Sequence, residues 1–400
     1  HIGIKSNSFL RLDIAEELIE QIVQTIIDKG IKTVLFCGDW HHERPSISVE
    51  TMCRSIRMVK KITNHANLYF ILGNHDVRDN VSTDITSVKF LQDIKGVKLI
   101  DKPTECDMNG NKVLMCPWLS NLDGYQAESY DGMFGHFDIS HKYLIEAYME
   151  EHLSEDISTA EVSNLMIKSG YEFQPADSSG LSDKTKLTTK ANSKKHIGKF
   201  VDLCKKGGYI YSGHIHHRRT FQLKGRKFTF MGSPLQLTWG DYNKELESNR
   251  GYYILDTKTL KAKFIENSRS PVHRKFFISE LNVESTSLEE IFKENEIANN
   301  FVRLILNKQL DFGNLSKIIN LINSYGPKEP CVVDYDFSID FEANSSGEPD
   351  ANSMNASKLS YIREYISNLD DSIFDYFHVE RDTILTYVVK YFEATEELLG

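Results

Sequence analysis

The chain has 400 residues, 40% hydrophobic and 26% charged, with a formal net charge of −10. That length can bury a large core and predicts two or three units. The acid excess excludes a uniformly basic nucleic-acid-binding module, so any phosphate contact must come from local clusters. Six cysteines show no Cys-x-x-Cys pair, no apolar stretch approaches the ~18 residues of a membrane span, and no signal-peptide pattern is visible. The expectation is a reduced, cytoplasmic protein with no membrane partner.

In chain order, Ile14, Leu18, Ile22 and Ile26 form a helical stripe closed by Gly30. Thr33-Val34-Leu35-Phe36-Cys37 then reads as a buried strand running into Gly38-Asp39. Val49, Met52, Ile56 and Val59 mark a second helix, and Leu68-Tyr69-Phe70-Ile71-Leu72 a second strand running into Gly73-Asn74-His75-Asp76. This is β-α-β alternation, hence an α/β core. Gly135-His136 is a third string. Residues 141 to 176 read as a partly helical insertion leading into the polar stretch Ser178 to Ser193, a candidate mobile loop. Tyr209-Ile210-Tyr211-Ser212 is a strand that delivers the fourth string, Gly213-His214-Ile215-His216.

After about residue 268 the pattern restarts on a smaller scale. Phe276-Phe277-Ile278 reads as a strand, Ser287-Leu288-Glu289-Glu290 as a capping box opening a helix, and Phe301 to Leu306 as a second strand. Leu315, Ile318, Ile319 and Ile322 mark a helix, and Cys331-Val332-Val333 begins a third strand. The predicted units are residues 1–268, a small α/β domain over 269–342, a linker over 343–356 and amphipathic helices over 357–400.

The four strings place their polar residues beyond the carboxyl ends of strands, where open α/β sheets build their sites. Their chemical types fit two divalent ions held close together. Asp39 can bridge both, His136, His214 and His216 supply borderline nitrogen ligands suited to Mn, Fe or Zn, and Asn74 adds an amide oxygen. Such a pair would activate water for in-line attack on phosphorus. His75 is better used as a general acid or transition-state donor than as a ligand, with Asp76 as its orienter. A lone Gly-Asp or Gly-His pair is usually a turn. All four strings in one chain fit a single ligand set instead.

The order of these strings resembles the calcineurin-like metallophosphoesterases, and three details resemble their SbcD-type DNA-repair nuclease branch, which includes phage recombination nucleases. The details are Gly38-Asp39-Trp40-His41-His42-Glu43-Arg44-Pro45-Ser46, then Gly232-Ser233-Pro234-Leu235-Gln236-Leu237-Thr238-Trp239-Gly240-Asp241 with Arg250-Gly251-Tyr252, and Pro271-Val272-His273-Arg274-Lys275-Phe276. The resemblance implies a four-layer α/β/β/α metallophosphoesterase sandwich with a small α/β capping domain and C-terminal helices. His1-Ile2-Gly3 is similar to the end of the family's opening Asp-x-His-x-Gly motif, which makes His1 a metal ligand and implies that an upstream Asp and its strand are missing. On this reading His1 and His216 serve one ion, Asn74, His136 and His214 the other, and Asp39 both.

The resemblance further implies Mn as the metal, DNA as the substrate, a homodimer, and an SbcC-type coiled-coil ATPase bound through the C-terminal helices. The activity expected is that of a DNA exonuclease or endonuclease in recombination and repair. Either His41 or His42 takes the family's substrate-contact role. Arg218 and Arg219, beside His216, are the better candidates for phosphate contacts than the lysine run from Lys184 to Lys195. Two other readings are a phosphoesterase acting on nucleotides or phosphoproteins and a non-catalytic scaffold.

Overall fold

The computed structural model describes residues 2–3, 8–43, 46–78, 82–138, 197–242, 250–281, 287–308, 310, 312–335, 382–383 and 385–386. The chain divides into two compact units, His1–Val272 and His273–Gly400. His1, the stretches 141–176 and 178–193, the 343–356 linker and nearly all of 357–400 lie outside the described residues.

In the first unit the helical stripe becomes α1 (Phe9–Lys29). It stops where Gly30 turns left-handed, at φ 61°, and returns its N–H to the Ile26 and Ile27 carbonyls. Helix α2 (Val49–Thr63) is capped by Ser48, whose hydroxyl accepts the Thr51 N–H at 3.1 Å. Strands β1 (Thr33–Cys37), β2 (Asn67–Ile71) and β3 (Val97–Ile100) form a parallel sheet in that order.

A second, mixed sheet has the order β4-β5-β6-β7-β9-β8. Its members are β4 (Thr104–Met108), β5 (Asn111–Cys116), β6 (Tyr130–Gly135), β7 (Cys204–Ser212), β8 (Arg219–Leu223) and β9 (Arg226–Phe230). Helix α3 (Ile197–Leu203) leads directly into β7.

Three apolar clusters give the layer order. Leu12, Ile19, Met58 and Ile62 of the helices pack with Leu68 and Phe70 on one face of the parallel sheet. Cys37, Ile71 and Ile100 meet Met115, Phe134 and Tyr211 between the sheets. Leu114, Met133, Ile210 and Phe228 cover the far face of the mixed sheet, with Phe200 and Val201 of α3. Adjacent residues such as Phe70 and Ile71, or Leu114 and Met115, serve opposite faces, so the inner strands β2 and β5 are buried on both sides and carry apolar runs. The result is an α/β/β/α sandwich. A separate antiparallel pair, β10 (Gly251–Leu255) and β11 (Ala262–Glu266), completes the unit.

The second unit, taken by itself, has a parallel sheet of β12 (His273–Phe277), β13 (Phe301–Leu306) and β14 (Val332–Tyr335). Helices α4 (Leu288–Ile291), α5 (Glu294–Ile297) and α6 (Phe312–Ser324) accompany it. Phe292, Leu304, Ile318 and Ile322 centre its core. Strand β12 ends one residue before Ile278, which opens a 3₁₀ turn and buries its side chain in that core. Ser287 accepts the Glu290 N–H as its sequence implies, yet α4 lasts only four residues because Phe292 and Lys293 return to extended backbone. Among the described residues no helix is long and apolar enough to cross a membrane.

Candidate metal centre

Asp39 lies two residues past β1, Asn74 three past β2, His136 directly after β6, and His214 two past β7. All four strands present their carboxyl ends here, which is where the two sheets of the sandwich converge. Close backbone approach makes this possible. A Cβ on Gly73 would sit 2.2 Å from the Asp39 Oδ1, and one on Gly38, whose φ is 92°, would sit 2.4 Å from the His136 Nδ1. Asp39 and His214 themselves adopt left-handed backbone, φ 66° and 77°. Such conformations cost about 1–3 kcal/mol each outside glycine and persist where the surroundings impose them, often at functional sites.

The side chains converge on one point. His136 Nδ1 donates to the Cys37 carbonyl at 2.8 Å, which fixes the tautomer and leaves Nε2 facing Asn74 Oδ1 at 2.9 Å and Asp39 Oδ2 at 3.3 Å. His214 Nδ1 lies 3.0 Å from the same Asn74 oxygen. Ligand atoms of Asp39, His136 and His214 all fall within 4.8 Å of one another. A carboxylate, an amide oxygen and two imidazoles aimed at one another are a donor set that suits a divalent cation of the Mn, Fe or Zn type. Trp118 stacks on His214, ring centroids 5.5 Å apart, and meets His136 edge-on at 6.0 Å.

Burial alone would raise the Asp39 carboxyl. The His136 imidazole and the His75 backbone N–H, 2.8 Å away, outweigh it and hold the group well below the usual carboxylate range. Burial lowers His136, but the Asp39 carboxylate reverses the sign and the ring ends above its ordinary value. His214 is pushed down to about 4 by burial and by His136. The centre therefore favours an ionised carboxylate and a neutral His214, the forms that bind metal.

Asp76 is not placed to orient His75. It is fully buried, and its two oxygens accept the backbone N–H groups of Asp39 and Trp40 at 2.8 Å and of Gly73 at 2.9 Å. Burial, with the neighbouring Asp39 charge, pushes its carboxyl up to about 6, while those N–H groups pull the other way. Its work is to tie the loop after β1 to the loop after β2. His75 is oriented instead by the His42 carbonyl, which accepts from its Nδ1 at 2.8 Å.

His41 and His42 differ in burial and partners. His41 is buried between Ser55 and Ser87, with ring nitrogens 2.8 and 3.1 Å from their hydroxyls, and burial lowers it to about 4. His42 is half-buried and stacks on His75, centroids 5.3 Å apart and planes 16° from parallel.

His216 lies outside the Asp39–His136–His214 group. Its Nδ1 is 2.8 Å from Asp241 Oδ1, and Asp241 also accepts the N–H groups of Leu237 and Thr238. Arg250 is largely buried and donates to the His216 and Asp241 backbone carbonyls, which braces the pair from behind. Asp241 and Trp118 went unassigned in the sequence. Trp239-Gly240-Asp241 carried a signal, but nothing local tied it to a histidine 25 residues earlier. Arg218 is exposed, with its guanidinium 4.3 Å over the Phe264 ring, and Arg219 opens β8.

The family model described as calcineurin-like phosphoesterase matches residues 11–218. Exonuclease subunit 1 of Enterobacteria phage T4 is 25% identical over 270 residues, which is 67% of this chain and 66% of that protein. The chain thus spans just under two thirds of the length of that curated relative. A solved structure described as a novel archaeal phosphodiesterase aligns with 63% of this chain and 92% of its own, at 13% identity and a TM-score of 0.30, too low to carry weight. The family match runs through all four strings and covers more than half of the residues, and the chain belongs to the calcineurin-like phosphoesterases.

Proposed function

We propose that this chain is the nuclease subunit of an SbcCD-type recombination and repair complex, hydrolysing DNA phosphodiesters with two divalent ions, Mn among them. The observation that carries this reading is the convergence of Asp39, Asn74, His136 and His214 from four strand ends, with Asp39 and His214 held in left-handed backbone. The phage relative, an exonuclease subunit, supports the choice of nucleic acid over a small ester.

Asp39 would serve both ions, Asn74, His136 and His214 would hold one, and His216 with His1 would hold the other. Bound ions would lower the pKa of a water and offset charge on the attacking and leaving oxygens. The Cys37 carbonyl keeps the His136 lone pair on Nε2, and Asp241 does the same for His216, so both rings present a fixed atom to the site. His75 commits Nδ1 to the His42 carbonyl, which makes Nε2 the atom that exchanges a proton with the leaving oxygen. His42, stacked beside it, contacts the scissile phosphate. The α/β unit after residue 272 serves in substrate selection, residues 357–400 dock the coiled-coil ATPase, and the chain pairs as a homodimer.

The test compares bis(p-nitrophenyl) phosphate, p-nitrophenyl phosphate and an end-labelled DNA duplex, each with Mn, in the parent chain and in Asp39→Asn. Cleavage of the duplex and the diester that Asp39→Asn abolishes supports the nuclease reading. Preference for the monoester supports a nucleotide or phosphoprotein phosphatase instead.

A further inference from the structure

Leu119 shares the left-handed backbone of Asp39 and His214, at φ 60°. It lies one residue from Trp118, whose ring stacks on His214. Among the described residues one other leucine, Leu260, takes this conformation, and its side chain is 2% exposed, so burial offsets the crowding of its Cβ. Leu119 gains no such return, because it is 44% exposed. A leucine on the surface is ordinary, and so is a left-handed residue in a turn. Both together in one aliphatic residue are unfavourable twice over, and at a site such a feature points to use.

The loop after β5 is fastened around this residue. The Trp118 N–H donates to the Leu72 carbonyl at 2.8 Å, which ties the loop to the end of β2. The Trp118 ring covers His214 and meets His136 edge-on. The Ser120 hydroxyl closes back on the Pro117 carbonyl at 2.6 Å. Trp118 packs against the cluster under the helices, and Leu122 against the cluster on the far face of the mixed sheet. The fold takes up the apolar residues on either side and leaves Leu119 turned outward, on a support that includes a metal-centre histidine.

An aliphatic side chain has nothing to offer phosphate oxygens. The apolar surface of a nucleic acid is the face of its bases, which is open only where stacking is broken, and rigidly held leucines are among the side chains that enter such gaps. Breaking a stack costs most in a fully paired duplex and least at a mismatch or in a single strand. A contact of this kind therefore counts most on a paired end.

We infer that Leu119 is a specificity-determining residue that packs against the base beside the phosphate being cleaved and holds that nucleotide out of the duplex stack. The inference rests on the nuclease reading of the metal centre.

The test uses the full chain and three variants. Leu119→Gly and Leu119→Asn suit the left-handed turn and remove the apolar contact, and Leu119→Met keeps it. Each is assayed with Mn on a blunt, end-labelled duplex, on the same duplex with its terminal pairs mismatched, and on bis(p-nitrophenyl) phosphate, and Tm is recorded. Leu119→Gly and Leu119→Asn are expected to slow the blunt duplex by about tenfold or more and the mismatched end by about twofold or less, with no loss of diester hydrolysis or of Tm. Leu119→Met is expected to stay near the parent on all three substrates. Equal slowing on all three by the Gly and Asn variants would make Leu119 a support of the metal centre and overturn the inference, as would unchanged cleavage of the blunt duplex. A parent chain that hydrolyses the diester but neither DNA overturns the nuclease reading, and the inference with it.

Discussion

The Asp76 carboxylate accepts the backbone N–H of Asp39 at 2.8 Å, so the residue that follows the candidate general acid in sequence serves the candidate bridging ligand in space. Its oxygens also take the Trp40 and Gly73 N–H groups. Asp76→Ala leaves these three buried donors without that acceptor, at about 1–3 kcal/mol each. The expected result is a stability loss of about 3 kcal/mol or more together with weaker Mn binding. Denaturant unfolding with and without Mn checks it, and an unchanged midpoint would show that the loops hold without the clamp.

His75→Ala is expected to keep both metals and lose turnover by about a hundredfold to ten-thousandfold, the range for a general acid. Elemental analysis beside the rate of duplex cleavage separates the two effects. Loss of metal would move His75 into the ligand set.

Asp241→Asn tests the partner of His216. The substitution keeps one oxygen but removes the charge that orients the imidazole, and changes of this kind typically cost 10–100-fold in metal affinity. Mn binding at His216 is expected to weaken while the Asp39–Asn74–His136–His214 site keeps its affinity. A calorimetric titration distinguishes this from uniform weakening, which would point to a folding defect.

A pH dependence follows from the contact between α1 and α2. The Arg54 side chain, 8% exposed, reaches Glu16 through two nitrogens at 3.1 and 3.0 Å and also pairs with Asp13. Its hydrogen bond holds the Glu16 carboxyl below the ordinary value of 4.5, against the opposing pull of burial. A carboxyl with a lowered folded pKa stabilises the fold above its unfolded value and loses that contribution as pH falls through the folded one. Arg54→Met is therefore expected to lower Tm at pH 7 and to flatten the fall in Tm between about pH 5 and pH 3. Parallel Tm profiles for the two proteins would show that the pair contributes nothing.

Much of the centre was legible because each ligand string follows its strand directly. Continuous apolar runs marked β1, β2 and β7, and the Gly-x pairs after them carried Asp39, Asn74 and His214. The strand before His136 was harder to read: Tyr130–Gly135 mixes Asp and Gly into its run, and the Leu260 side chain packs against Gly132. The β4–β5 hairpin had a signal that went unread, Asn109-Gly110, and both residues adopt the left-handed backbone of a tight turn. Asp76 misled because adjacency to His75 suggested a shared task, whereas the turn sends the two side chains to different partners. Asp241 and Trp118 reach the site only through tertiary packing, which no local pattern encodes.

The central claim is that the Asp39–Asn74–His136–His214 cluster binds a divalent ion on which phosphodiester cleavage depends. The most direct measurement is a Mn titration, by calorimetry, of the parent chain and of His136→Ala, since His136 touches both Asp39 and Asn74. The account predicts that Mn binding at this cluster disappears in His136→Ala, together with Mn-dependent duplex cleavage. Unchanged Mn affinity in His136→Ala would contradict it.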